Sequence, residues 1–128
     1  MPLTLLFVGL GGAFGAVCRY LLGLQTLRVF GGGFPYGTFA ANLIGGLLMG
    51  GLAGWLALRG GADAEKWRAL LGVGVLGGFT TFSAFSLETA LMIERRAYAT
   101  AVAYSLASVI LSIVALFAGL LLTRRLFA

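Results

Sequence analysis

Gly77-Gly78-Phe79-Thr80-Thr81-Phe82-Ser83-Ala84-Phe85-Ser86, GGFTTFSAFS in one-letter code, lies inside one of the most apolar regions of the chain. Two adjacent glycines, four hydroxyl side chains and three phenylalanines share these ten residues. Adjacent glycines relax helical constraint, and Thr80, Thr81 and Ser83 can satisfy freed backbone groups or cap a new helix. Two readings follow. One is a simple bend. The other is a discontinuous helix, its first half ending near Leu76 and its second starting near Thr81. Broken helices at membrane depth line binding sites, with exposed carbonyls suited to a cation and exposed N–H groups suited to an anion.

The surrounding chain has a membrane composition. Its 128 residues are 60% hydrophobic and 10% charged, against about 45–50% and about 25% in soluble domains. Its mean hydropathy is +1.03. Glycine, at 21 residues, suits membrane helices whose backbones approach closely. The net charge of +5 sits mostly at the ends of apolar runs, which fits lipid headgroups and topology better than nucleic acid. With no histidine and a single cysteine, Cys18, an intrachain disulfide framework is excluded and a zinc-type site disfavoured.

Four apolar runs are long enough to cross about 30 Å of hydrocarbon: 3–24, 36–58, 65–95 and 97–122. The expected fold is an all-α membrane protein, residues 1–128 forming one four-helix transmembrane domain with short connectors and its third helix broken near the middle. The first run lacks a basic leader and a clear cleavage site, so it reads as a retained span. Gly31-Gly32-Gly33-Phe34-Pro35 suits a turn, and Asp63 suits an N-cap. Four spans put both termini on one side with Arg59, Lys66, Arg68, Arg124 and Arg125. Arg28, Arg95 and Arg96 fall opposite, with Arg19 near them. This positive-inside bias is weak. It is open to a cytoplasmic placement of both termini, or to insertion both ways with pairing as an antiparallel dimer.

Polar groups inside hydrocarbon are directed at protein, cavity or water. Arg19 shares a small-residue face with Gly12 and Gly15, and reads either as snorkelling to the interface or as an anion-attracting group at a vestibule. Asn42 needs partners. Thr38 lies one turn earlier, and the Asn42 amide can act as interhelical glue or donate to a passing anion. Gly46, Gly50 and Gly54 form a packing stripe. Phe82, Phe85, Ser86 and Thr89 follow i, i+3, i+4, i+7 on a single helical face. Their ring edges, which are electropositive, can stabilise a small anion, although ordinary aromatic packing also explains them. Tyr104, Ser108 and Ser112 recur at one-turn spacing, as back-bonded hydroxyls or as a ladder replacing water around an ion. Glu88 is the one acid well inside an apolar run. It reads as reaching the interface or as a proton-linked or gating group.

Four pieces taken together resemble the small fluoride channels of the Fluc, or CrcB, family. They are Gly11-Gly12-Ala13-Phe14-Gly15-Ala16 leading to Arg19-Tyr20; Gly37-Thr38 with Asn42 and Gly45; GGFTTFSAFS with Glu88-Thr89; and Tyr98-Ala99 with Tyr104, Ser108 and Ser112. The third is the most specific. The resemblance implies passive fluoride export from a bacterial cell through the inner membrane, by an antiparallel, dual-topology homodimer with two pathways. It implies an ion pathway of Asn42, Phe82, Phe85, Tyr104, Ser108 and Ser112, with Arg19 near a vestibule. It also implies a structural sodium ion at the dimer centre, held by backbone carbonyls of Gly77 and Thr80, and no organic cofactor. Ala84 departs from the threonine often found between the two phenylalanines, which bears on local packing. The implied partners are fluoride, a second copy and membrane lipid.

The residues also admit rival readings. A fluoride/proton antiporter is kept open by Glu88, and a structural subunit requiring a partner by the glycine stripes. A four-helix proton-coupled drug exporter is disfavoured, because the first span has no Asp or Glu. Catalysis lacks a nucleophile–base pair.

Overall fold

The computed structural model describes residues 2–127. In chain order it contains α1 (Pro2–Phe30), α2 (Tyr36–Arg59), a 3-10 turn (Gly61–Asp63) and α3 (Ala64–Trp67). A π-helical segment (Arg68–Leu76), α4 (Gly77–Phe79), α5 (Ser83–Glu94) and α6 (Tyr98–Phe127) follow. Four stretches are helical and apolar enough to cross a membrane: Pro2–Phe30, Tyr36–Arg59, Gly61–Glu94 and Tyr98–Phe127. The third collects the pieces from the 3-10 turn to α5.

The helix ends follow local chemistry. α1 continues to Phe30, past the apolar run, because Gln25, Thr26 and Arg28 keep the helix going while leaving the hydrocarbon. It stops at Gly31, whose φ of +81° is the left-handed geometry that ends helices, and whose N–H closes on the Leu27 carbonyl at 2.9 Å. α6 likewise extends through Arg124 and Arg125, cations that complement the carbonyl end of a helix. Asp63 does not act as the expected cap. It makes no side-chain capping bond to α3, because the preceding 3-10 turn already carries the chain into the helix.

Two helix pairings build the bundle. α2 lies along α6, and α1 lies along the π-helical segment and α4. Both are backbone-close. The Gly46, Gly50 and Gly54 stripe faces Ser112, Leu116 and Thr123 of α6. On α1, a Cβ at the buried Gly15 would fall on the Val75 carbonyl oxygen and 2.8 Å from the Phe79 nitrogen, so only glycine permits this approach. Small residues drive association where lipid offers no hydrophobic contrast between helices.

At one end, the Arg59 guanidinium donates to the Phe127 carbonyl at 3.1 and 3.3 Å, and Lys66 stands 5.9 Å from the Phe7 ring centre. The start of α1, the end of α6 and the α2–α3 connection therefore share that end, where Trp55 and Trp67 also meet edge to face. Trp is enriched at membrane–water interfaces. Few large side chains are buried, Tyr104 and Met92 most completely. The outer faces carry exposed leucine, isoleucine, valine and phenylalanine, the surface a lipid-facing bundle presents.

Candidate ion pathway

Helical hydrogen bonding lapses between α4 and α5. Thr80 is extended, with φ −85° and ψ 159°, and its hydroxyl donates back to the Leu76 carbonyl at 2.8 Å. In a continuous helix the Thr81 N–H would bond the Gly77 carbonyl. Here it donates instead to Asn42 Oδ1 at 2.8 Å, while Asn42 Nδ2 donates to the Thr81 carbonyl at 2.9 Å. One primary amide thus satisfies both polar groups of a residue that has left its helix, as polar backbone at this depth requires. The Thr81 hydroxyl then accepts from the Ala84 N–H at 3.1 Å, capping the first turn of α5.

This clamp sets the direction of α5. Phe82 and Phe85 pack with ring centres 5.5 Å apart, and Phe85 rests 5.1 Å from the Tyr104 ring. Phe82 is 77% exposed, whereas Phe85 is half-buried. Asn42, Thr80, Thr81, Phe82, Phe85, Ser108 and Ser112 line one groove of about 390 Å³. Its wall combines an amide, hydroxyls and aromatic rings with the apolar side chains of Met49, Val109, Ile113 and Leu116, and holds no charged side chain. Ser108 is buried, and its hydroxyl has no hydrogen-bond partner among the described residues. A buried hydroxyl without a partner is costly, so Ser108 has bonding capacity left over for something in the groove.

Four residues singled out by the sequence lie elsewhere. Tyr104 does not line the groove; it turns into the core beneath Phe85 and donates to Glu88 Oε1 at 2.9 Å. Glu88 Oε2 accepts from the Thr38 hydroxyl at 2.8 Å, so the carboxylate faces the bundle interior and does not reach out along α5. Thr38 therefore serves Glu88, and the partner of Asn42 is Thr81. Arg19 is placed against the third span, its Nε 3.5 Å from the Gly78 carbonyl, and not at the loop end with Arg28, Arg95 and Arg96. Thr89 leaves the phenylalanine face: its hydroxyl bonds back to Phe85 at 2.9 Å, and it borders a separate apolar recess with Tyr98 and Ser105.

The family profile described as CrcB-like protein, Camphor Resistance (CrcB) matches residues 6–120 of this sequence. The chain belongs to the CrcB family. Relatives are similar over nearly their whole length. A protein of Phenylobacterium zucineum (strain HLK1), named fluoride-specific ion channel FluC, is 73% identical over 125 residues, 98% of each chain. One of Caulobacter sp. (strain K31) with the same name is 71% identical over 124 residues, 97% of each. At greater distance, one of Agrobacterium fabrum (strain C58 / ATCC 33970), also so named, is 47% identical over 125 residues, covering 98% of this chain and 99% of its own. Family membership and four apolar spans make this an integral membrane protein.

In this CrcB chain the Thr38–Glu88–Tyr104 arrangement was not visible from sequence. Its members are 50 and 16 residues apart on three different helices. The available signal was that a lone acid inside an apolar run must find donors; nothing in the spacing says which.

Proposed function

We propose that this chain is a fluoride-selective channel of a bacterial inner membrane, allowing passive fluoride export that lowers cytoplasmic fluoride. The observation that carries the ion's identity is the 73% identity, over 98% of both chains, to a protein named a fluoride-specific ion channel. The role is transport and not catalysis. The groove supplies the means: Asn42 and the Ser108 and Ser112 hydroxyls donate to a dehydrating anion, and the edges of Phe82 and Phe85 attract it without holding it as a fixed cation would. Tyr104 acts behind Phe85, and Arg19 raises the local potential for anions. Glu88 lies outside the groove lining.

The groove is open on one side, and Phe82 stands out from it. A second copy inserted in the opposite orientation would close it and make two pathways per dimer. The discontinuous third span then lies at the dimer centre. Because Asn42 takes the Thr81 N–H, the Gly77 carbonyl loses its usual helical donor. The Gly77 and Thr80 carbonyls are hard oxygen donors of the kind a sodium ion takes, and they would hold it there as a structural ion. A high-resolution structure of the reconstituted protein is expected to find antiparallel subunits with a cation at the two-fold. Parallel subunits, or water-like coordination at that point, would overturn this part of the proposal.

Fluoride efflux from liposomes containing the purified protein tests the activity, with chloride as the control ion. The expected result is rapid fluoride release without chloride release, reduced about five- to thirtyfold by Phe82→Ala; losing the aromatic edge removes roughly 1–2 kcal/mol of ion stabilisation. Folded wild-type protein that releases no fluoride would sink the channel reading. Flux that requires an imposed pH gradient would move the assignment to an antiporter.

A further inference from the structure

Two cavities share α2 and α5 as walls. One is the groove of the proposed pathway. The other, about 330 Å³, lies between the α1–α2 connection and the end of α5, and is lined by Thr26, Gly31, Tyr36, Thr38, Glu88 and Arg95 among others. Glu88, which the groove does not reach, lines this cavity with Thr38. A carboxyl group as the sole titratable acid of a cavity gives anions no attraction, and on that ground alone it would be a poor mouth for fluoride. Arg95 offsets that carboxyl group at the rim. It stands seven residues beyond Glu88, two helical turns or about 10 Å along α5, and its side chain is exposed. No ion pair occupies it among the described residues; the one ion pair there joins Arg68 to Glu65.

We infer that Arg95 is an electrostatic steering residue for fluoride, drawing the anion into this loop-side cavity as the outer mouth of the pathway. The inference rests on the fluoride-channel reading. A cation at the rim of a low-dielectric cavity focuses potential into it and raises the local anion concentration. It acts over about a Debye length, which is about 30 Å at 0.01 M salt and about 3 Å at 1 M. Helix-end stabilisation and headgroup binding are the other uses of an arginine at this place. Arg96 separates them. It is the next residue and is also exposed, but does not line the cavity. Its φ of 63° is a conformation asparagine also tolerates, so Arg96→Asn removes the same charge without disturbing the turn.

The test measures fluoride currents of the full-length protein in planar bilayers at about 0.01 M and about 1 M ionic strength, with sodium gluconate as the added salt. At low ionic strength Arg95→Gln is expected to lower the fluoride current about threefold and Arg95→Glu about tenfold, both differences closing at high salt. Arg95→Lys keeps the charge and is expected to match the wild type, as is Arg96→Asn. A deficit in Arg95→Gln that is equal at both salt concentrations, or one reproduced by Arg96→Asn, would overturn steering through this cavity. A wild type without fluoride current would instead overturn the channel reading, and this inference with it.

Discussion

Asn42→Ala is expected to yield a protein less stable by about 2–4 kcal/mol, since two backbone groups lose their partners at once and each costs about 1–3 kcal/mol when left unsatisfied. The groups are the N–H and C=O of Thr81, now held at 2.8 and 2.9 Å. The half-exposed position of Thr81 keeps the figure below the full sum. Without the clamp, Thr81 would turn back toward the Gly77 carbonyl or recruit water, and Phe82 and Phe85 would lose their common direction. Fluoride efflux is therefore expected to fall at least about tenfold, beyond the effect of removing one donor from the groove. Asn42→Asp divides the two halves of the clamp. Its carboxylate still accepts from the Thr81 N–H but offers nothing to the Thr81 carbonyl, so its stability should fall near or below that of alanine. Thermal unfolding in detergent checks both. An Asn42→Ala protein that unfolds at the wild-type temperature would show that the clamp carries no stability.

The second large effect is expected at Gly15. Its missing Cβ would meet the Val75 carbonyl oxygen and the Phe79 nitrogen, and both are backbone atoms that cannot swing aside. Gly15→Ala must push α1 away from the third span, at a cost of about 1–3 kcal/mol or more, and Gly15→Leu is expected to give no folded protein. Gly9 on the same helix has nothing within 4 Å of its Cβ position. Gly9→Ala should be neutral or stabilising by up to about 1 kcal/mol, because alanine narrows the unfolded ensemble and favours the helix. Equal melting temperatures for Gly9→Ala and Gly15→Ala would refute the close-packing account.

The fold was readable wherever one physical rule dominated. Hydrocarbon thickness makes a membrane span a long apolar run, so the four spans and the Gly31–Pro35 turn stand out in the residue order. Their ends were less visible, since Gln25 to Arg28 and Arg124 to Leu126 remain helical after leaving the apolar zone. The π-helical backbone of Arg68–Leu76 left no trace in RALLGVGVL, a sequence equally suited to an ordinary helix. In the candidate site, the need was legible but the partner was not. Asn42 and Glu88 each announce a polar group that must be satisfied inside an apolar run. The choice of Thr81 for one, and of Thr38 with Tyr104 for the other, depends on how α2, α5 and α6 are rotated against one another. Arg19 shows the same limit: its spacing from Gly12 and Gly15 gives its face but not its depth against Gly78.

The amide of Asn42 also bears on the order in which the chain is put together. It belongs to α2 and precedes Thr81 by 39 residues, so during synthesis it is in the membrane before the residue that depends on it. When GGFTTFSAFS arrives, a surrogate peptide group is already waiting at the right depth, and the bare N–H and C=O of Thr81 need not be offered to lipid. The nascent second helix thus serves as a template on which the irregular turn of the third can set.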